Sequence, residues 1–413
     1  MFAKLGLTVA LVVIVATGVN GQSNKDSTFA LVKKLQKRIE ILENKLQENE
    51  LEELLKEAKT EAESVVEKKK TKTFKSGQRA LQAINPELSV TGDLFGQYTV
   101  KEKDQSGAYF RVLGLHLQSN LDPFSLAKIS IEFSPEGVEL GEAYLTWTNF
   151  LTNLSLTAGK FRQKFGIVNR WHKHSLDQFD FPLALTTIFG EDGLNQTGIS
   201  FNWLMPSLLA NVNELTVEIT DGSNGQLFAG KSFSFPAILA HLKNYWDLSR
   251  NSYFELGLTA MYGKNKIPKT VNGLLEEVEK NTFVAGTDLT YFWQPVNKAL
   301  YRSFVWRTEL YYAEKELVEP NKIKAFGGYS YLQYQFDEKW YAGARFDFTQ
   351  PFELNNGNKS ITQLAPYIDW WQSHWVRLRL QYNLLQNNSG LDPQNTLRLQ
   401  ITWAMGPHKH ERY

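Results

Sequence analysis

The chain has 413 residues, and its 45 Lys and Arg against 44 Asp and Glu leave a formal net charge of +1. This balance gives no support for nucleic-acid binding through a basic surface. It has no cysteine, which excludes disulfides, thiolate metal sites and cysteine nucleophiles. Aromatics make up 13% of residues, with 11 Trp, yet the mean hydropathy is −0.35. That combination arises when every second strand residue is apolar and Trp and Tyr form girdles at a membrane interface.

At the N-terminus, Lys4 precedes an apolar run from Leu5 to Ala16, and Val19-Asn20-Gly21 supplies small residues at cleavage spacing. The pattern predicts a cleaved signal peptide over 1–21, because the run is short of the roughly 20 apolar residues of a spanning helix. A periplasmic helix with a basic linker is expected over 22–75. Ser27 to Val66 is rich in Leu, Glu and Lys and free of Gly and Pro. Val32, Leu35, Ile39, Leu42 and Leu46 follow 3-4 spacing, with Asn49 at the next core position, as in a short coiled-coil seam. The register then shifts to Leu51, Leu54, Leu55, Ala58 and Ala62. Self-association and packing of one amphipathic helix remain alternatives. Lys68-Lys69-Lys70-Thr71-Lys72 forms the linker, and the remainder, 83–413, is expected to be one β domain.

From about Leu88 the period becomes 2. Val376, Leu378, Leu380, Tyr382 and Leu384 share one strand face, with Arg377, Arg379, Gln381 and Asn383 on the other. Leu397, Leu399, Ile401 and Trp403 alternate likewise with Arg398, Gln400 and Thr402. Similar alternation recurs in Ala127–Phe133, Leu154–Gly159, Phe254–Ala260, Phe283–Trp293, Phe304–Tyr312 and Trp340–Phe348. With weaker segments the count reaches about 16, and the fold class is all-β: a transmembrane antiparallel β-barrel preceded by a short coiled-coil helix. Tight connections such as Asp337-Glu338-Lys339 and Gln372-Ser373-His374 fall on one side. The longer Phe161 to Asn195, Gly263 to Lys280 and Pro351 to Lys359 fall on the other, the extracellular side of such barrels. Phe161 to Asn195 is then the third extracellular loop.

Alternation sends Lys128, Glu132, Glu142, Glu218, Glu255, Asp288, Arg307, Glu309, Arg345, Asp347, Asp369, Arg377, Arg379 and Arg398 to the lumen. The arginines of the last four strands are expected to form a basic wall, joined by Arg162 and Arg170 from the loop, with charge setting selectivity. Each could instead sit in a wall salt bridge, such as Arg345 with Asp369. His172, His174, Asp177 and Asp180 have the residue types for zinc or another divalent metal. They could equally hold the loop to the wall. His408-Lys409-His410 lies at the opposite end. No nucleophile or general base completes an enzyme site, so a non-enzymatic protein without a required cofactor is expected.

Gly159-Lys160-Phe161-Arg162 followed by Phe165-Gly166 resembles the strand-end motif of the phosphate-selective porin family. That resemblance implies a 16-stranded trimer whose third loop enters the lumen. A longer stretch is similar to barrels known as zinc-regulated outer-membrane receptors: Gly159-Lys160-Phe161, Gly166, Asn169, His172-Lys173-His174, Asp177, Asp180, Pro182-Leu183, Gly190 and Trp203-Leu204-x-Pro206. The tail Gly406-Pro407-His408 ending on Tyr413 also resembles that family. The expectation is an outer-membrane porin, oligomeric and lipid-embedded, passing small hydrophilic solutes or ions through a lumen narrowed by the third loop. Alternatives are a tether reaching the cell wall through the helix and a metal-binding receptor.

Overall fold

The computed structural model describes Lys34, Lys37 and residues 86–100, 105–229, 235–271, 274–317, 322–352, 359–388 and 394–406. The chain divides into two units, Met1–Arg79 and Ala80–Tyr413. The expected signal peptide, the coiled-coil seam, the basic linker and His408-Lys409-His410 lie outside the described residues. Among the described residues, no helix is long and apolar enough to cross a membrane.

The second unit is a closed antiparallel barrel of sixteen strands. They are β1 (Glu87–Thr99), β2 (Gly107–Asp122), β3 (Ser125–Ser134), β4 (Gly137–Leu151), β5 (Leu154–Arg162), β6 (Asn195–Met205), β7 (Val212–Thr220) and β8 (Ala237–Ser249). The circuit continues through β9 (Ser252–Val271), β10 (Leu274–Trp293), β11 (Ser303–Glu316), β12 (Lys322–Asp337), β13 (Trp340–Gln350), β14 (Ile361–Ser373), β15 (Val376–Asn387) and β16 (Gln394–Met405). Closure is made by β1 against β16, from Val90 opposite Met405 to Thr99 opposite Thr396. A closed barrel leaves no open sheet edge around its wall, which is what permits strands to cross a bilayer.

Period 2 becomes inside and outside. Along β15, Arg377, Arg379, Gln381 and Asn383 are buried, whereas Leu380 and Leu384 are exposed. Leu258, Phe283, Leu332, Phe346 and Leu399 are likewise exposed on the outer surface of their strands. The tight connections fall where expected, and β12–β13 turns through Glu338-Lys339 alone. One expected loop is corrected: Gly263 to Lys280 is mostly strand. β9 and β10 stay paired to Val271 opposite Leu274. Lys264 faces Glu279 at 3.5 Å and Lys266 faces Glu277 at 3.2 Å, so cross-strand charge pairs continue the ladder where a loop was expected.

The segment between β5 and β6, here L3, contains two 3-10 turns and the helix α1 (Leu183–Phe189). Its apolar side chains Phe165, Trp171, Leu176, Leu185, Ile188 and Phe189 are buried with the inward-facing Leu239, Met261, Val284, Tyr311 and Ala325. Leu227 and Phe228, from the connection between β7 and β8, complete this core. Burial of each such side chain stabilises by about 1.5–3 kcal/mol, so L3 is a packed part of the barrel interior.

Candidate functional site

Polar groups fix L3 to the inner wall on two fronts. On β11, the Glu309 carboxylate accepts from Val168 N at 3.0 Å and from the hydroxyls of Tyr311 and Tyr329. Further round, Tyr331 donates to Asp177 at 2.7 Å, and Asp347 accepts from Leu183 N at 3.1 Å. Gln381 accepts from Phe179 N at 2.8 Å. Across the barrel, His172 Nδ1 lies 3.2 Å from Glu132 on β3, and its Nε2 lies 2.9 Å from Glu142 on β4. Along the chain these wall partners run from Glu132 to Gln381, yet they converge on one loop.

The predicted arginines are brought to this interior but do not form a continuous basic track. Arg345, fully buried, donates to Asp347 and to Asp180 at 2.8 Å each, and to the Asp180 carbonyl at 2.6 Å. The expected partner Asp369 is instead held by Arg379 in a two-pronged pair at 2.7 Å. Arg345 turns away from it because Asp347 lies two residues along its own strand, on the same face. Arg377 donates to the carbonyls of Leu176 and His174, both at 3.0 Å. Arg398 donates to Gln97 at 2.8 Å and lies 3.5 Å from Asp180. Arg307 bonds Thr290 and Tyr331 and stacks over the Trp171 ring, while Arg162 donates to the Asp192 carbonyl. Arg170 ends the first 3-10 turn of L3. The basic wall is therefore engaged in attaching the loop. Burial alone would raise the Asp180 carboxyl, but Arg345 and Arg398 outweigh it and hold the group below its ordinary value.

The four residues proposed for a metal are not assembled into one site. Asp177 serves Tyr331, and Asp180 serves Arg345, Arg398 and Asn383. His172 and His174 stand beside His116 of β2, with ring centroids 5.2 and 5.3 Å from it. Among the described residues, no three His, Asp or Glu side chains form a group that could hold a metal ion.

Sequence reasoning missed Arg111, which donates to the Phe179 carbonyl at 2.6 Å and lies over the Phe179 ring. Strict alternation puts it on the lipid face, but the register of β1 against β2 shifts between Asp93 and Leu94. A bulge of this kind inverts the in-out pattern beyond it. It also missed Asn224, whose amide donates to the Phe189 and Gly193 carbonyls at 2.7 and 3.0 Å. A turn-rich stretch carries no signal of so distant a partner.

Gly166 has φ +62, and a Cβ there would overlap the Glu309 carboxylate. Both the positive φ and the crowding favour glycine. Gly166→Ala is expected to loosen L3 and cost about 1–3 kcal/mol. Amide exchange of Val168, which donates to Glu309, reads this directly. Unchanged protection would show that the approach is not constraining.

No family model matches the chain. An uncharacterised protein of Aquifex aeolicus is 26% identical over 329 residues, covering 71% of this chain and 67% of that one. Among solved structures, in-vitro folded OmpT, an outer-membrane protein of Vibrio cholerae, is 12% identical, with TM-score 0.53 over 81% of this chain and all of that one. An anion-selective porin from Comamonas acidovorans is 12% identical, with TM-score 0.53, covering 78% of this chain and 100% of its own. The outer-membrane channel DcaP of Acinetobacter baumannii is 12% identical, with TM-score 0.52, over 80% and 100%. The class defined by these likenesses is the closed porin-type barrel.

Proposed function

We propose that the chain is an outer-membrane porin that lets small hydrophilic solutes or ions diffuse through a lumen narrowed by L3. The observation that carries this reading is the closed sixteen-strand wall, apolar outside and charged inside. Such a wall meets lipid on one face and water on the other. The shared fold with outer-membrane channels supports it. Oligomerisation, as a trimer, belongs to the same proposal, and one of the similar structures is described as a trimer form of OmpT.

The apolar cluster that joins L3, Leu227 and Phe228 to the wall favours one other reading, a barrel that anchors the chain without conducting. Planar-bilayer recording separates the two. The porin reading expects discrete, ohmic conductance steps from the detergent-purified protein, whose gel mobility is heat-modifiable. Heat-modifiable protein that inserts but never conducts would replace it with the anchor.

A further inference from the structure

An aromatic pair stands on the inner wall, where no lipid reaches it. Phe95 of β1 and Tyr109 of β2 are cross-strand partners with their rings stacked at 5.2 Å. Phe95 meets the Phe179 ring of L3 edge-on at 4.8 Å, which places the pair on the lumen side. Tyr109 is nonetheless 41% exposed, and among the described residues its hydroxyl reaches only the Gln105 carbonyl, at 3.3 Å. An inward ring has no membrane interface to serve, so a girdle role does not account for it.

The same Phe179 ring carries two guanidiniums, Arg111 at 4.5 Å and Arg398 at 4.7 Å from its centroid. Their side chains are 15% and 18% exposed, whereas Arg345 and Arg379 are sealed in. Among the described residues, Arg111 donates through Nη1 alone, to Asp93 and the Phe179 carbonyl. Arg398 donates through Nε alone, to Gln97. A guanidinium has several N–H groups in a planar fork, so most of the donors of both are unspent. Their acids are better bonded elsewhere. Asp93 lies 3.3 Å from Arg111 but accepts from Gln400 at 2.9 and 3.0 Å. Asp180 lies 3.5 Å from Arg398 but accepts from Arg345 at 2.8 Å and from Asn383 at 3.0 Å. Spare, partly open cationic donors therefore stand beside an open aromatic ring.

We propose that Arg111, Arg398 and Tyr109 form a recognition site on the lumen wall for an aromatic carboxylate of the benzoate type. The carboxylate is taken by the guanidiniums, whose planar fork matches it, and the ring lies against Tyr109. Phe95 and Phe179 hold these three groups in place from behind. An apolar surface with a few convergent polar groups is the usual composition of a small-molecule site. The proposal deepens the porin reading and rests on it for the passage of the solute, whereas binding itself needs no current.

The probe is para-fluorobenzoate, followed by broadening of its fluorine NMR line on the full-length barrel in detergent and displaced by unlabelled competitors. Benzoate is expected to displace it several-fold better than cyclohexanecarboxylate, which has the charge and bulk without the aromatic face. Arg398→Gln is expected to weaken binding roughly tenfold, the loss of one charge-assisted contact. Lys298→Gln, exposed on the turn between β10 and β11, should leave it unchanged. Tyr109→Leu keeps both arginines and should abolish the preference for benzoate over cyclohexanecarboxylate. Equal affinity in wild type and Arg398→Gln would overturn the proposal. If Arg398→Gln loses its heat-modifiable mobility, Tyr109→Leu decides: a lost preference supports the site and a retained one overturns it. A barrel that conducts but broadens no line overturns the site and leaves the porin reading standing, while one that binds without conducting keeps the site and removes that reading.

Discussion

Replacing Arg345 by alanine is expected to cost about 3–5 kcal/mol and to release the middle of L3, because removing one partner of a buried ion pair strands the other. Arg345 is 0% exposed, and its guanidinium serves Asp347, Asp180 and two backbone carbonyls at once. Without it, Asp347 retains only the amide of Leu183 and a 3.4 Å contact from Gln363. Asp180 keeps Asn383, Gln381 and the longer contact with Arg398. Arg345→Lys keeps the charge but not the planar fork, so it should fall between wild type and alanine. The check is the temperature at which the fast-migrating gel band is lost, read beside the open-channel current. Alanine should lower the first and make the second larger and noisier. A variant matching wild type in both would show that Arg345 does not hold the loop.

The fold was legible in the sequence because lipid on one face and a charged interior on the other impose period 2, which is local. Val376 to Leu384 states its own inside and outside without reference to any other strand. Loop lengths on alternate connections then supplied parity. What was not legible is what happens inside the wall. Arg345, Arg377 and Arg379 were expected in a basic wall, with their partners open, because alternation gives direction and not partner. Their partners Asp180, Leu176 and His174 lie about 165 to 203 residues away along the chain. The tyrosines Tyr311, Tyr329 and Tyr331 were invisible for a related reason: inward tyrosines on a strand resemble girdle residues until Glu309 and Asp177 are seen to accept from them. The histidines of L3 stood out as metal ligands or as anchors of the loop, and residue type could not say that His172 faces two carboxylates of β3 and β4.

Excising residues 170–180 and closing the gap with a short Gly-Ser link is expected to raise single-channel conductance about twofold or more and to move selectivity towards anions. The segment carries equal charge of each sign, Arg170 and Lys173 against Asp177 and Asp180, so the effect does not come from its own net charge. It comes from what is uncovered. Arg377 loses the carbonyls of His174 and Leu176, Arg398 loses Asp180, and Arg111 loses the Phe179 carbonyl and ring. Arg379 remains neutralised by Asp369, and Arg345 by Asp347. On the acidic side, Glu132 loses His172, whereas Glu142 keeps Lys128 at 3.3 Å. Arg111 keeps Asp93 at 3.3 Å, so two guanidiniums, those of Arg377 and Arg398, are released against one carboxylate. The balance of the new surface shifts towards basic, and fixed charge lining a pore sets the sign of the ions it favours. The basic wall that the last strands encode is then available to solutes once the loop that occupies it has gone. The reversal potential under a salt gradient measures this. A larger conductance with unchanged selectivity would place the arginines off the ion path, and an unchanged conductance in a folded barrel would place L3 itself off that path.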